Sequence, residues 1–221
     1  MVMITADPLL VPLWTPPTAV AEGVELFVFD LDHHPAHEEL QPHLRRRAVG
    51  RRMLLHLLAS GLGVLPEDIE LGRTNNGKPV LMSPQSPLAF NVSYTRRWLA
   101  VAVAYGSDGQ IGVDVETLDP TIDAIEVARH HFHASELAHL QSLAPADRPL
   151  VFYRFWTAKE AVLKALGTGL SLDPRLIEIE LGADLRLRSG GYDMQLWQWQ
   201  IRLGSDNLIL TLARGRYECR P

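Results

Sequence analysis

Two carboxylates, Asp114 and Glu116, interrupt the otherwise apolar run Ile111-Gly112-Val113-Asp114-Val115-Glu116. Successive side chains of a strand alternate between its faces, so both acids point the same way. Like charges at that spacing repel unless a cation lies between them, and oxygen donors favour magnesium or calcium over zinc. A strand end running into solvent would account for both acids equally well, and the strand alone leaves the two readings level. Further along, Phe152, Phe155, Trp156, Val162, Leu163 and Leu166 recur at helical spacing, with Lys159 near the middle of the stripe and Glu160 and Lys164 flanking it. Glu160 and Lys164 stand at i,i+4, which brings their ends together and is also the ordinary surface pair of a helix. If Glu160 approaches the acidic strand face, the three carboxylates make a magnesium site still open to a substrate phosphate.

Cations occupy a second region. A helical pattern beginning near Leu44 carries its apolar stripe on Leu44, Ala48, Leu54, Leu55 and Leu58, and Arg47 and Arg51 fall on that stripe. A guanidinium in an apolar surround is costly unless paired. The two arginines therefore either meet an internal carboxylate or bound anion, or snorkel to the rim. Arg45, Arg46 and Arg52 read as a solvated basic face. In Phe90-Asn91-Val92-Ser93-Tyr94-Thr95, turn amides and the Ser93 and Tyr94 hydroxyls can hydrogen-bond a phosphate. Lys78, in the turn Asn75-Asn76-Gly77-Lys78-Pro79, joins them only if that turn folds over the same cavity.

The elements that must position these groups follow from periodicity. Alternating or continuous apolar runs predict strands at 24–30, 88–93, 98–105, 110–116, 176–181, 195–203 and 207–213, the second and third joined by a short polar connection at 95–97. Helical spacing predicts helices at 44–59, stopping at Gly61 and Gly63, then at 122–132, 134–143 and 150–166, the last ending at Gly167-Thr168-Gly169. The expected fold is α+β: two similar halves related by a pseudo-two-fold, 1–107 and 108–221, each with a long helix packed on a small, mostly antiparallel sheet. Composition agrees with a globular chain, since 47% of its 221 residues are hydrophobic and 21% charged. Acids outnumber bases 26 to 21, a net charge of -5, which supplies no bulk field for nucleic acid. Residues 1–17 lack a basic start and contain four prolines, so neither a signal peptide nor a membrane span is expected. The single cysteine, Cys219, excludes an intramolecular disulfide and fits a reduced cytoplasm.

Taken together, IGVDVE, FWTAKEAVLKALGTGL, NNGKPVL and FNVSYT resemble the 4'-phosphopantetheinyl transferases of the single-chain, two-half (surfactin-synthetase-activating) type. The first two carry that family's G-x-D-x-E and W-x-x-K-E-A-x-x-K motifs, spaced as the family requires. The resemblance implies transfer of the phosphopantetheine arm of coenzyme A to a serine of an acyl or peptidyl carrier protein, releasing adenosine 3',5'-bisphosphate. It implies magnesium on Asp114, Glu116 and Glu160, with Glu160 taking the serine proton, Lys164 neutralising the α-phosphate, and Lys159 holding carboxylates or phosphates from beneath. Arg47 falls where the family contacts the coenzyme's 3'-phosphate, Lys78 matches the lysine of its G-K-P turn, and Ser93 lies on a phosphate-binding position. Arg51 extends that set by helical spacing. Coenzyme binding is thereby expected in the N-terminal half, and magnesium and catalysis in the C-terminal half of a monomer. Fatty-acid, polyketide and nonribosomal peptide pathways are all open, with residues 117–134 as the expected carrier-docking loop. Tyr94 departs from the family, which commonly has histidine there, so weaker coenzyme binding or a different pH dependence is expected.

Two competing readings remain at this point. A coenzyme A binding or carrier-docking module without turnover would keep the fold and lose the chemistry, with Tyr94 as its support. A transition-metal protein would use His33, His34 and His37, or His130, His131 and His133, although Pro35 breaks any regular helix through the first group.

Overall fold

The computed structural model describes residues 12–18, 20–32, 41–106, 110–182, 184–188 and 191–215. His33, His34, His37, Cys219 and the expected boundary at 107–109 lie outside them. The chain is α+β, with four α-helices and antiparallel sheets among the described residues.

The first sheet has the order β1 (Val24–Asp30), β5 (Trp98–Tyr105), β4 (Leu88–Thr95). Continuous apolar sequence is what a strand covered on both faces needs, and β5, WLAVAVAY, is the central strand. Its Leu99, Val101 and Val103 join a core beneath α1 (Pro42–Leu62), while Trp98, Ala100, Ala102 and Ala104 face the other way. The second sheet has the order β6 (Ile111–Thr117), β10 (Asp206–Gly215), β9 (Met194–Leu203). Ile111, Val113 and Val115 of β6 and Leu208, Leu210 and Leu212 of β10 meet the second face of β5 in a shared core. The opposite face of the second sheet packs under α4 (Arg148–Leu166). The layers are therefore helix, sheet, sheet, helix.

Two smaller hairpins, β2 (Glu70–Arg73) with β3 (Pro79–Ser83) and β7 (Ile179–Leu181) with β8 (Leu185–Leu187), were not expected from sequence apart from β7. Residues 174–176, expected near a strand start, form a 3-10 turn instead. The remaining helices, α2 (Ala124–His131) and α3 (Ala134–Ser142), pack beside α4. Both long helices begin with proline in the first turn, and both stop at a left-handed glycine, Gly63 (φ 68°) and Gly167 (φ 69°).

The expected apolar stripe of α1 is corrected by the structure. Val49, Met53, Leu54, Leu57 and Leu58 are buried, whereas Leu44 is 46% exposed and Arg47 and Arg51 face outward. The buried row 49-53-57 lies about half a turn from Arg47 and Arg51, whereas Leu54 and Leu58 fall on the arginines' own side further along the helix, and Leu54 lines a cavity with both arginines.

Candidate active site

Where β4 and β6 lie side by side, each is the edge strand of its own sheet, and an edge leaves backbone groups unpaired. Alternate residues of β4 supply the missing partners. Val113 N–H donates to Asn91 Oδ1 at 2.9 Å, and Thr117 N–H donates to Thr95 Oγ1 at 3.2 Å. From the same row, Ser93 Oγ donates to Asp114 Oδ1 at 2.8 Å and Thr95 Oγ1 to Glu116 Oε2 at 2.9 Å. A polar seam thus joins the two sheets and grips both acids of the Gly112-Val113-Asp114-Val115-Glu116 segment.

Gly112 lets the strand approach α4. A Cβ added there would lie 2.0 Å from Ala161 O and 2.4 Å from Ala165 N, both backbone atoms of α4. With no side chain between them, Asp114 and Glu116 come beside Glu160 and Lys164. Thr157 Oγ1 of α4 also meets Thr211 Oγ1 of β10 at 2.8 Å, a buried pair that pins the helix against the sheet.

Asp114, Glu116, Glu160, Lys164, Ser93, Tyr94, Val92 and Trp156 line one cavity of about 390 Å³. Lys164 Nζ donates to Asp114 Oδ1 at 2.7 Å and to Ser93 Oγ at 2.9 Å rather than to Glu160, so the surface-pair reading of Glu160 with Lys164 fails. Burial, then repulsion from Asp114, pushes the Glu116 carboxyl up to about 7. Glu160 is raised by burial and by the charge of Asp114, with Lys164 pulling back.

The three acids share this cavity without closing on one point. Among the described residues, no group of three or more histidine, cysteine, aspartate or glutamate side chains is gathered tightly enough to hold a metal ion. The donor chemistry nevertheless fits a hard divalent cation: the lining has three carboxylates and neither thiol nor imidazole. Asp114 Oδ2 is moreover buried with no hydrogen-bond partner, and a buried unsatisfied oxygen is costly.

A second cavity, of about 670 Å³, adjoins the first and shares Val92 and Tyr94 with it. Arg47 and Arg51, the residues expected to contact an anion, line it, joined by His43, Arg46, Arg73 and Arg96. Sequence reasoning missed Arg73 and Arg96 because they come from two separate hairpins. The backbone of Arg96 gives the one available signal: it has φ 48°, the only left-handed non-glycine among the described residues, in the two-residue turn between Thr95 and Trp98. Arg46 is held by Asp32 through two 2.8 Å bonds. Tyr94 lies against α1 at Gly50, where a Cβ would come within 2.7 Å of its ring. Its hydroxyl is raised by burial and lowered in turn by Arg47 and Arg51.

Two expected site residues are not brought to either cavity. Lys159 is 2% exposed and donates to both oxygens of Glu136, at 2.7 and 3.0 Å, and to Ile177 O. Helical geometry sets it about 100° round α4 from Glu160, away from the cavity and toward Glu136. Burial pushes Lys159 down and Glu136 up, each opposed by the other's charge. Lys78 Nζ donates to Ile111 O at 2.9 Å and to Ala165 O at 3.4 Å, and burial lowers it to about 8. The histidines of the second group are also separately engaged: His130 approaches Glu126, and His133 caps α3 through Ser135 N–H.

Comparison with known proteins places this arrangement. The 4'-phosphopantetheinyl transferase superfamily matches residues 110–213, and the N-terminal family of 4'-phosphopantetheinyl transferases matches residues 39–105. The chain is 38% identical over 181 residues to the 4'-phosphopantetheinyl transferase HetI of Nostoc sp., covering 81% of this chain and 74% of the relative. It is 34% identical over 134 residues to a putative 4'-phosphopantetheinyl transferase, slr0495, of Synechocystis sp., covering 59% and 53%. A 4'-phosphopantetheinyl transferase of Bacillus subtilis is 31% identical over 140 residues, covering 63% and 59%. The chain belongs to the 4'-phosphopantetheinyl transferases, an enzyme family. No helix among the described residues is long and apolar enough to cross a membrane.

Proposed function

We propose that this enzyme transfers the 4'-phosphopantetheine of coenzyme A to a serine hydroxyl of an apo acyl or peptidyl carrier protein. The observation that carries the reading is the adjacency of an arginine-lined cavity and an acid-lined one across Val92 and Tyr94. Coenzyme A has the matching polarity: a 3'-phosphate for Arg47 and Arg51, and a diphosphate for the acidic side, where a cation must mediate. Asp114, Glu116 and Glu160 would hold magnesium, which supplies charge neutralisation at the diphosphate when bound. Glu160, in a cavity that raises its proton affinity, accepts the proton of the carrier serine. The serine oxygen bonds to the β-phosphorus, and the bond from that phosphorus to the bridging oxygen breaks. The charge appearing on the departing adenosine 3',5'-bisphosphate is met by Lys164, which leaves Asp114 to do so.

The division of labour follows the same reading: residues 1–107 bind the coenzyme and residues 108–221 carry the acids, as two halves related by a pseudo-two-fold in a cytoplasmic monomer. Each half has its long helix on a three-stranded sheet, which supports that symmetry. The carrier approaches over 117–134, where Trp156 of the cavity wall meets His131 edge-on and Phe132 at a tilt. Ser93 takes part through Asp114 and Lys164, with Tyr94 at the waist between the cavities. Fatty-acid, polyketide and nonribosomal peptide carriers all satisfy this chemistry.

The test incubates the protein with apo carriers of each class, coenzyme A and magnesium, and weighs the carrier. One added phosphopantetheine is expected, absent for Glu160→Gln with the fold retained. Coenzyme binding without an adduct on any carrier would establish a binding module instead.

A further inference from the structure

The two acids of β6 are held by hydroxyls of β4, and the direction of each hydroxyl is set by its neighbours. Thr95 Oγ1 accepts from Thr117 N–H at 3.2 Å, a group that can only donate, so its own proton is free for an acceptor. Glu116 Oε2 lies at 2.9 Å, whereas Thr117 Oγ1, the other acceptor, is at 3.5 Å and uncharged. The short, charge-assisted contact wins. Ser93 repeats the pattern two residues earlier, accepting from Lys164 Nζ at 2.9 Å and donating to Asp114 Oδ1 at 2.8 Å. Each hydroxyl thus engages one oxygen of one carboxylate. On Asp114 the other oxygen, Oδ2, is left buried and unpartnered.

We infer that Thr95 is a positioning residue for the metal-binding acids: its hydroxyl fixes the Glu116 carboxylate so that this acid meets a divalent cation in a preset orientation. The inference rests on the proposed magnesium role of Asp114, Glu116 and Glu160. Thr95 is 8% exposed and outside the lining of both cavities, so it acts through Glu116 rather than on substrate. Groups that orient a ligand carboxylate commonly govern metal affinity by tenfold or more. Asn91 provides an internal control. It closes the same seam by accepting from Val113 N–H but touches neither acid.

The experiment titrates the purified protein with Mn²⁺, with and without coenzyme A, and reads free Mn²⁺ by electron paramagnetic resonance. Thr95→Val should raise the dissociation constant about tenfold, Thr95→Ser should restore it to within about twofold, and Asn91→Leu should leave it unchanged. In a Glu116→Gln background, Thr95→Val should add nothing. Should Thr95→Val not fold, Thr95→Ala is read against Thr95→Ser in the same way. Wild-type protein that takes up no Mn²⁺ overturns the magnesium reading itself. Wild-type binding with equal binding by Thr95→Val overturns the positioning role alone, as does equal weakening by Asn91→Leu, which would mean that the seam serves only as scaffolding.

Discussion

Lys159 and Glu160 are neighbours in sequence and opposites in environment. Glu160 lines the acidic cavity, while Lys159 is sealed behind α4 against Glu136, whose oxygens also accept from Ile179 N–H at 2.8 Å and His133 N–H at 2.8 Å. Glu136 therefore ties α3, α4 and the start of β7 to one point. Removing only the lysine leaves a carboxylate buried without its cation, so Lys159→Met should cost roughly 3–5 kcal/mol in urea unfolding. Replacing both partners, Lys159→Met with Glu136→Leu, should recover most of that loss. Because Lys159 reaches neither cavity, the double variant should keep phosphopantetheine transfer within about tenfold of wild type at a temperature where it is folded. A thousandfold loss from a folded double variant would return Lys159 to the reaction. That Lys159 sits inside an apolar stripe was legible from helical spacing; that its partner is Glu136 was not, because the pair joins two helices whose packing no local pattern encodes.

At the level of elements, the site depends on how closely β6 can lie on α4. Gly112 sets that distance, since any Cβ would meet the Ala161 carbonyl at 2.0 Å, a backbone atom unable to rotate away. Gly112→Ala should cost about 1–3 kcal/mol in thermal or urea unfolding through overpacking. Its effect on turnover should be larger, because the helix must shift relative to Asp114 and Glu116; a variant destabilised in this range yet fully active would show that the spacing is not critical. The β2–β3 hairpin reaches over the end of α4, where Asn76 Nδ2 donates to Gly167 O at 2.9 Å and Lys78 to Ala165 O. A cation at a helix C-terminus is favourable, so Lys78 acts here as a latch between the β2–β3 hairpin and the packed pair of α4 and β6. The strands at 24–30 and 98–105 and the end of α4 were read closely from sequence, because continuous apolar runs and glycine stops are local signals. The α1 stripe was read in part: Leu54 and Leu58 are buried, but leucines fall on several faces of that helix, and only the packed sheet decides that Val49, Met53 and Leu57 are covered and Leu44 is not. The β4 seam was invisible for the same reason: Asn91, Ser93 and Thr95 look like a turn-side polar cluster until β6 is placed beside them.

Across the whole molecule, β6 and α4 gather three carboxylates into one cavity, and stability should register that. Glu116 is raised to about 7 by burial and by Asp114, whereas the same side chain in the unfolded chain titrates near the ordinary glutamate value of about 4.3. Between those values the folded protein binds more protons than the unfolded one, so the contribution of Glu116 to stability is intact below the lower value and is lost as pH rises through about 7. Discounted for partial exposure, the loss should be on the order of 1–2 kcal/mol. Glu160 shifts in the same direction and adds to it. A divalent cation competes with those protons and binds the folded chain selectively, so magnesium should raise the melting temperature more at pH 8 than at pH 5.5. Melting curves at both pH values, with magnesium and with chelator, check the argument, and Glu116→Gln supplies its control by abolishing the charge without removing the side chain. In chelator, that variant should gain stability over wild type at pH 8 and little at pH 5.5. Equal gains at the two pH values would mean that the acidic cavity carries no ionisation strain, and the pull it is expected to exert on a cation would lose its physical source.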